Sequence, residues 1–237
     1  MQLTKVTVSS YFRPSTGKKY VMAVSGFVLV LFVIGHLLGN LQVFLGQDTL
    51  NEYANFLQNL GEWLWIARIG LIFMLVVHVW TSVQLTLENR AARPVDYGSR
   101  RYIKANTASR TMIYSGLVIF SFLVYHLLQF TFLKVHPEWA HLKDARGRHD
   151  VYSMVVRSFQ EPAIAVSYVA AIFLLCFHLS HGLSSMFQSI GLQGGRIRRI
   201  LDTWGPRVAW LIFAGYAAIP TAIVLHLVRL PAGVLLP

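Results

Sequence analysis

VLFVIGHLLGNLQVF (30–44) is apolar at nearly every position, yet an imidazole, His36, stands inside it. The apolar run extends to about residues 20–45, longer than the roughly 20 residues a helix needs to cross a bilayer. A histidine in a water-soluble core is ordinarily a hydrogen-bonded packing residue. In a membrane span the burial of a polar group is costly, and such residues mark function. Four further stretches have the same length and character, at about 63–87, 111–133, 162–188 and 207–229. A lipid-embedded backbone must satisfy its own hydrogen bonds, so the predicted fold is all-α. It is an integral membrane bundle of five transmembrane helices, read as one domain over 1–237.

Composition agrees. The chain is 55% hydrophobic and 13% charged, against about 25% charged in a typical soluble domain. The first span is too long for a signal-peptide apolar core, and no small-residue cleavage pattern follows it. No low-complexity segment and no clear internal repeat stands out. One cysteine, Cys176, rules out a disulfide within the chain.

The net charge of +11 invites a nucleic-acid reading, but its distribution says otherwise. Lys5, Arg13, Lys18 and Lys19 precede the first span. Arg90, Arg93, Arg100, Arg101, Lys104 and Arg110 lie between the second and third, and Arg196, Arg198, Arg199 and Arg207 around the start of the fifth. These 14 bases share one side with three acids, Glu88, Asp96 and Asp202; the other side holds seven of each sign. Basic loops stay cytoplasmic, so the N-terminus is predicted inside and the C-terminus outside. The excess serves topology and anionic lipid, and leaves room for a docked partner.

The spans contain His36, His78, His126, His178, His181 and His226. His36 and His126 each lie about 16 residues from the inner end of their helix, at roughly 24 Å. His78 and His178 lie 10 and 11 residues in, at roughly 15–17 Å. The first four spans therefore present an outer and an inner pair. Two imidazoles at one depth can hold one haem iron from both faces, and two pairs make a stacked dihaem arrangement. A proton relay would bring carboxylates into the spans, whereas here the acids stay at the ends. A transition-metal site would cluster its ligands at one depth. His181, one turn from His178, can take its place as ligand or touch a haem edge. His226 needs no cofactor at the membrane surface.

The stretches GKKYVMAVSGFVLVLFVIGHLLGNLQVF (17–44), NEYANFL (51–57), ARIGLIFMLVVHVWTSVQLTLENRAARPVDY (67–97), YHLLQFTF (125–132) and HLSHGLSSMFQSIG (178–191) carry a resemblance over nearly the whole chain. It resembles the single-chain, five-helix cytochrome b membrane subunit of succinate:quinone oxidoreductases, of the dihaem type found with menaquinone. The resemblance implies two haems b, with His36 and His126 as axial ligands of the outer haem and His78 and His178 of the inner. It favours His178 over His181, because Gly182, Leu183 and Gly191 follow at the family's spacing. It also implies a flavoprotein and an iron–sulfur partner on the cytoplasmic face of a bacterial inner membrane. Electrons would pass from the iron–sulfur protein through the two haems to menaquinone or another quinone. It is compatible with a higher oligomer of the complex. The chain has no cysteine set or dinucleotide fingerprint of its own, so it does not oxidise succinate alone. Alternatives are the same subunit of a quinol:fumarate reductase, and the cytochrome b anchor of a hydrogenase or formate dehydrogenase. One branch of the family has a glutamate where this chain has Cys176, so that carboxylate proton route does not carry over.

Haem propionates want cationic or hydroxyl groups near the membrane edges. Arg68 suits the outer haem; Lys19, Ser25, Thr81, Gln84 and Arg110 suit the inner, with His181 nearby. Gly35 and Gly39 form a small-residue face beside His36. Quinol chemistry needs a proton-exchanging group, for which Asn40, Gln42, Glu52 and Glu62 are candidates. His136, His141, His149 and the charges of the outer loop 134–160 read as solvated surface.

Overall fold

The computed structural model describes residues 15–92, 107–192 and 194–231. The topology charges Lys5, Arg13, Arg93, Asp96, Arg100, Arg101 and Lys104 lie outside the described residues. Among the described residues seven α-helices follow in order: α1 (Ser15–Asn40), α2 (Gln47–Gln58), α3 (Glu62–Ala91), α4 (Thr107–Phe130), α5 (Val151–Gln160), α6 (Pro162–Ser189) and α7 (Gly195–Val224). Five are long and apolar enough to cross a membrane: α1 with the 3-10 turn that extends it to Leu45, α3, α4, α6 and α7. Inner and outer below follow the charge-based orientation.

The boundaries differ from the apolar runs for physical reasons. α7 begins at Gly195, twelve residues before the predicted 207, because GRIRRILDTWGP continues the helix outside the lipid-like stretch. Arg198 and Asp202 support that extension as an i, i+4 pair at 3.4 Å. The same helix stops at Val224, where His226 takes a left-handed turn (φ 56°) and Leu227 N–H reaches back to the Ala222 carbonyl at 2.8 Å. His226 is therefore beyond the helix, and exposed.

α1 packs along α3 and α6, α4 packs along α6, and α3 touches α4. The diagonals α1/α4 and α3/α6 make at most marginal contact, so the four helices form a ring. α7 lies outside it, packed most extensively on α6. Gly205 permits that crossing: a β-carbon there would sit 2.9 Å from Ser184 Oγ, which donates to the Leu201 carbonyl. Tyr216 ties α7 to α1 through a 2.7 Å hydrogen bond to the Val33 carbonyl. Cys176 is fully buried between Leu37, Ile172, Leu179, Ala209 and Ile212, an apolar place without a carboxylate.

The outer end is closed by two helices that hydropathy did not reveal. Gly46, at φ 99°, turns the chain from α1 into α2, a conformation that glycine alone adopts readily. In α5, Tyr152, Val155, Val156 and Phe159 join Val43, Leu50, Ala165, Tyr168, Ile219 and Ile223 in one core. Asp150 caps α5 by accepting from Ser153 N–H, and also accepts from Gln47 at 2.8 Å and Asn51 at 2.9 Å. Asp150 is 1% exposed and Asn51 0%. The expectation that the charges of 134–160 are solvated is thus corrected for Asp144, Asp150 and Arg157, which are buried under or within this cap. Short-range capping and an amphipathic face put them there. Arg148 bridges Asp144 at 2.7 Å and Asp48 at 2.6 Å. Burial pushes the Asp144 carboxyl up, but hydrogen bonds from Arg148, Asn51 and the Arg146 N–H outweigh it and hold it below its ordinary value.

Candidate functional site

The ring brings histidines from diagonal helices together. His36 (α1) and His126 (α4) face each other with ring centroids 5.9 Å apart and planes 82° apart. Two imidazoles sharing one metal at about 2 Å from each nitrogen would have centroids about 6 Å apart. Tyr168 on α6 donates to Gln129 Oε1 at 2.8 Å, which engages its only proton. Its oxygen then accepts from His126 Nδ1 at 3.3 Å. Gln129, fully buried, passes its amide on to Ser158 Oγ at 3.3 Å. His126 therefore carries its proton on Nδ1 and keeps the Nε2 lone pair.

His36 is held differently. Asn40 Nδ2 donates to the His36 carbonyl at 2.7 Å and to His36 Nε2 at 3.3 Å. An amide nitrogen only donates, so His36 Nε2 is also unprotonated. Its ring stacks on Phe32 at 5.4 Å. A metal at this nitrogen would displace the Asn40 contact and leave Asn40 its carbonyl partner.

On the inner level, His78 Nδ1 lies 3.3 Å from the Met22 carbonyl and 3.4 Å from Ser25 Oγ. The carbonyl only accepts. The serine proton is engaged by Val21 and Met22 carbonyls at 2.9 and 3.1 Å. Nδ1 is thus the donor. His178 is held similarly on α4, with Nδ1 3.1 Å from Ser115 Oγ. Ser115 in turn donates to Met112 at 3.1 Å. His178 lies within electrostatic reach of His78 and of the half-buried His181. Among the described residues Nε2 of neither His78 nor His178 has a hydrogen-bond partner. Ser25 and His36 are 11 residues apart on α1, as are Ser115 and His126 on α4, which separates the levels by about 16 Å. This exceeds the separation that counting from helix ends suggests.

The remaining candidates distribute unevenly. Ser25 is 1% exposed and sits on His78. Thr81 is buried, with its hydroxyl on the Val77 and His78 carbonyls of its own helix. Thr81 and Gln84 line a groove of ≈ 340 Å³ with Lys18 and Trp80 at the inner half of α1 and α3. Lys19 is exposed, and its neighbour Lys18 makes the cross-helix ion pair. Arg110 is exposed at the start of α4. Arg68 is exposed and stacks over Trp65 at 5.1 Å. Glu52 and Glu62 are exposed, and Gln42 is half-buried. Gly39 admits the Tyr53 ring, whose carbon would lie 2.7 Å from an added β-carbon, whereas Gly35 meets nothing.

Sequence reasoning missed Tyr168, Gln129, Ser115 and the buried Arg157. One signal was available: MAVSG (22–26) recurs as MIYSG (112–116), and nine residues separate each from an HLL (36–38 and 126–128). This short repeat corrects the reading that the chain has none. Among the described residues no cluster of three or more histidine, cysteine or acidic side chains that could hold a metal ion is present.

No curated protein and no solved structure matches the chain. Residues 89–219 match the succinate dehydrogenase/fumarate reductase transmembrane subunit family. That segment covers α4, α5 and α6 with most of α7, and holds His126 and His178 with their cradles. The chain belongs to the succinate dehydrogenase/fumarate reductase transmembrane subunit family.

Proposed function

We propose that this chain is the dihaem cytochrome b anchor of a succinate dehydrogenase in a bacterial cytoplasmic membrane, with its N-terminus inside and its C-terminus outside. A flavoprotein and an iron–sulfur protein dock on the basic inner face, and menaquinone is the lipid-soluble electron carrier. The observation that carries the reading is the arrangement of four histidines as two pairs, each Nε2 unprotonated, on the diagonals of a helical ring.

The residues present fit haem b. His36 with His126, and His78 with His178, would hold one haem each through Nε2. When bound, haem b supplies one-electron redox chemistry between the iron–sulfur partner and quinone. The protein's part is to orient the imidazoles, and the Nδ1–H donors of His78, His126 and His178 on carbonyl, serine and tyrosine oxygens raise the basicity of the opposite nitrogen. Phe32, Phe122 and Phe130 surround the outer pair and keep water from it. Arg68, Lys19, Arg110, Thr81, Gln84 and His181 remain candidates for propionate contacts. Asn40, Gln42, Glu52 and Glu62, at the outer end, are the candidates for exchanging protons with quinone.

A reduced-minus-oxidised spectrum of the purified protein, with haem quantified per chain, tests this. Two b-type haems with bis-histidine bands support it, and absence of haem ends it. Succinate:menaquinone and menaquinol:fumarate rates of the isolated complex then test the proposed direction.

A further inference from the structure

The repeated M-x-x-S-G stretches do the same thing twice. Ser25 of α1, with the Met22 carbonyl, receives His78 of α3, and Ser115 of α4 receives His178 of α6. The glycine after each serine underlies the same ring: an added β-carbon would meet His78 Cε1 at 3.1 Å from Gly26, and His178 Cε1 at 3.7 Å from Gly116. Both serines are buried, at 1% and 5% exposure. Each hydroxyl gives its proton to its own helix and can only accept from the histidine.

We infer that Ser25 and Ser115 are paired positioning residues that hold His78 and His178 in the Nδ1–H tautomer with Nε2 aimed into the ring. This deepens the proposed function and rests on its inner haem. An accepted hydrogen bond at Nδ1 increases electron donation from Nε2 and stabilises the oxidised metal. Removing the acceptor raises the midpoint potential of the metal so held.

The test uses the intact complex, with Ser25→Ala, Ser115→Ala, the double variant and Ser25→Thr. Ser121→Ala is the control, since Ser121 is exposed on α4 and bonded only to the Leu117 carbonyl. Each alanine variant is expected to retain both haems, raise the inner-haem potential and shift its low-spin electron paramagnetic resonance signal. The outer haem stays unchanged. Ser115→Ala has the larger shift, its contact being 3.1 Å against 3.4 Å. The double variant weakens inner-haem retention by about 10-fold or more. Ser25→Thr restores the wild-type signal, and Ser121→Ala leaves it alone. Unchanged inner-haem potential and signal in both alanine variants would overturn the inference while the haem reading stands, provided His78→Ala and His178→Ala each remove the inner haem. If those two histidine variants do not remove the same haem, the underlying reading fails and the inference with it.

Discussion

Around the inner histidines the same five-residue pattern serves both rings, each meeting a serine oxygen and a glycine beneath it. Around the outer histidines no two contacts match. His126 leans on Tyr168 and, through it, on Gln129 and Ser158, while the His36 ring takes its hydrogen bond from its own-helix neighbour Asn40. The inner site is built from two helices that contribute alike. The outer site is built partly from the cap formed by α2 and α5, which exists on that side alone among the described residues. The hold on the histidines is therefore local and duplicated at the inner level, and at the outer level it reaches into the cap.

That coupling can be broken at its centre. Asn51 donates to Asp150 and Asp144 and accepts from Tyr152 N–H, all under the cap. Asn51→Ala leaves a buried carboxylate and a buried N–H short of partners and is expected to destabilise the protein by about 2–4 kcal/mol. Thermal unfolding in detergent would register it, and the outer haem should be lost before the inner. Simultaneous loss of both would show that the cap does not distinguish the levels.

A subtler cut is Tyr168→Phe. It removes the acceptor of His126 Nδ1 and leaves Gln129 Oε1 without its donor, at a cost of about 1–2 kcal/mol. Redox titration should show the outer potential raised and the inner unmoved. A smaller, graded effect separates the two inner cradles. Helical glycine to alanine normally stabilises by about 1 kcal/mol. At Gly116 the 3.7 Å contact is ordinary, so Gly116→Ala should be neutral or stabilising. At Gly26 the 3.1 Å contact must push the His78 ring, so Gly26→Ala should lower inner-haem occupancy. Equal occupancy in both variants would contradict the geometry.

The smallest effect is on pH. The Asp144 carboxyl is held below its ordinary value of 3.8, so its stabilisation of the cap is present above that value. It is lost as pH falls through the lower, folded value. Hydrogen exchange over 142–150 should stay slow at about pH 5 and rise only below about pH 4. Asp144→Asn should remove that acid dependence.

The five spans were legible because apolar length is a one-dimensional property, as is residue count along a helix. His36 with His126 followed from equal counts, and the rings do meet. The spacing between levels did not follow from residue counts to the helix ends, and became readable from Ser25 and His36, which share α1. α2 and α5 escaped because they are short and amphipathic, packing sideways over the bundle rather than through lipid. Asp150 read as solvated from its charge, and only tertiary contact shows Asn51 donating to it. Ser115 was hidden in a span whose repeat with 22–26 becomes evident when both are seen beneath a histidine.

Haem content in paired histidine variants tests the account most directly. His36→Ala combined with His126→Ala should leave one haem per chain, and so should His78→Ala combined with His178→Ala. His36→Ala combined with His78→Ala should leave none. One haem retained in that last variant, or none in either of the first two, would contradict the assignment of the four histidines to two levels.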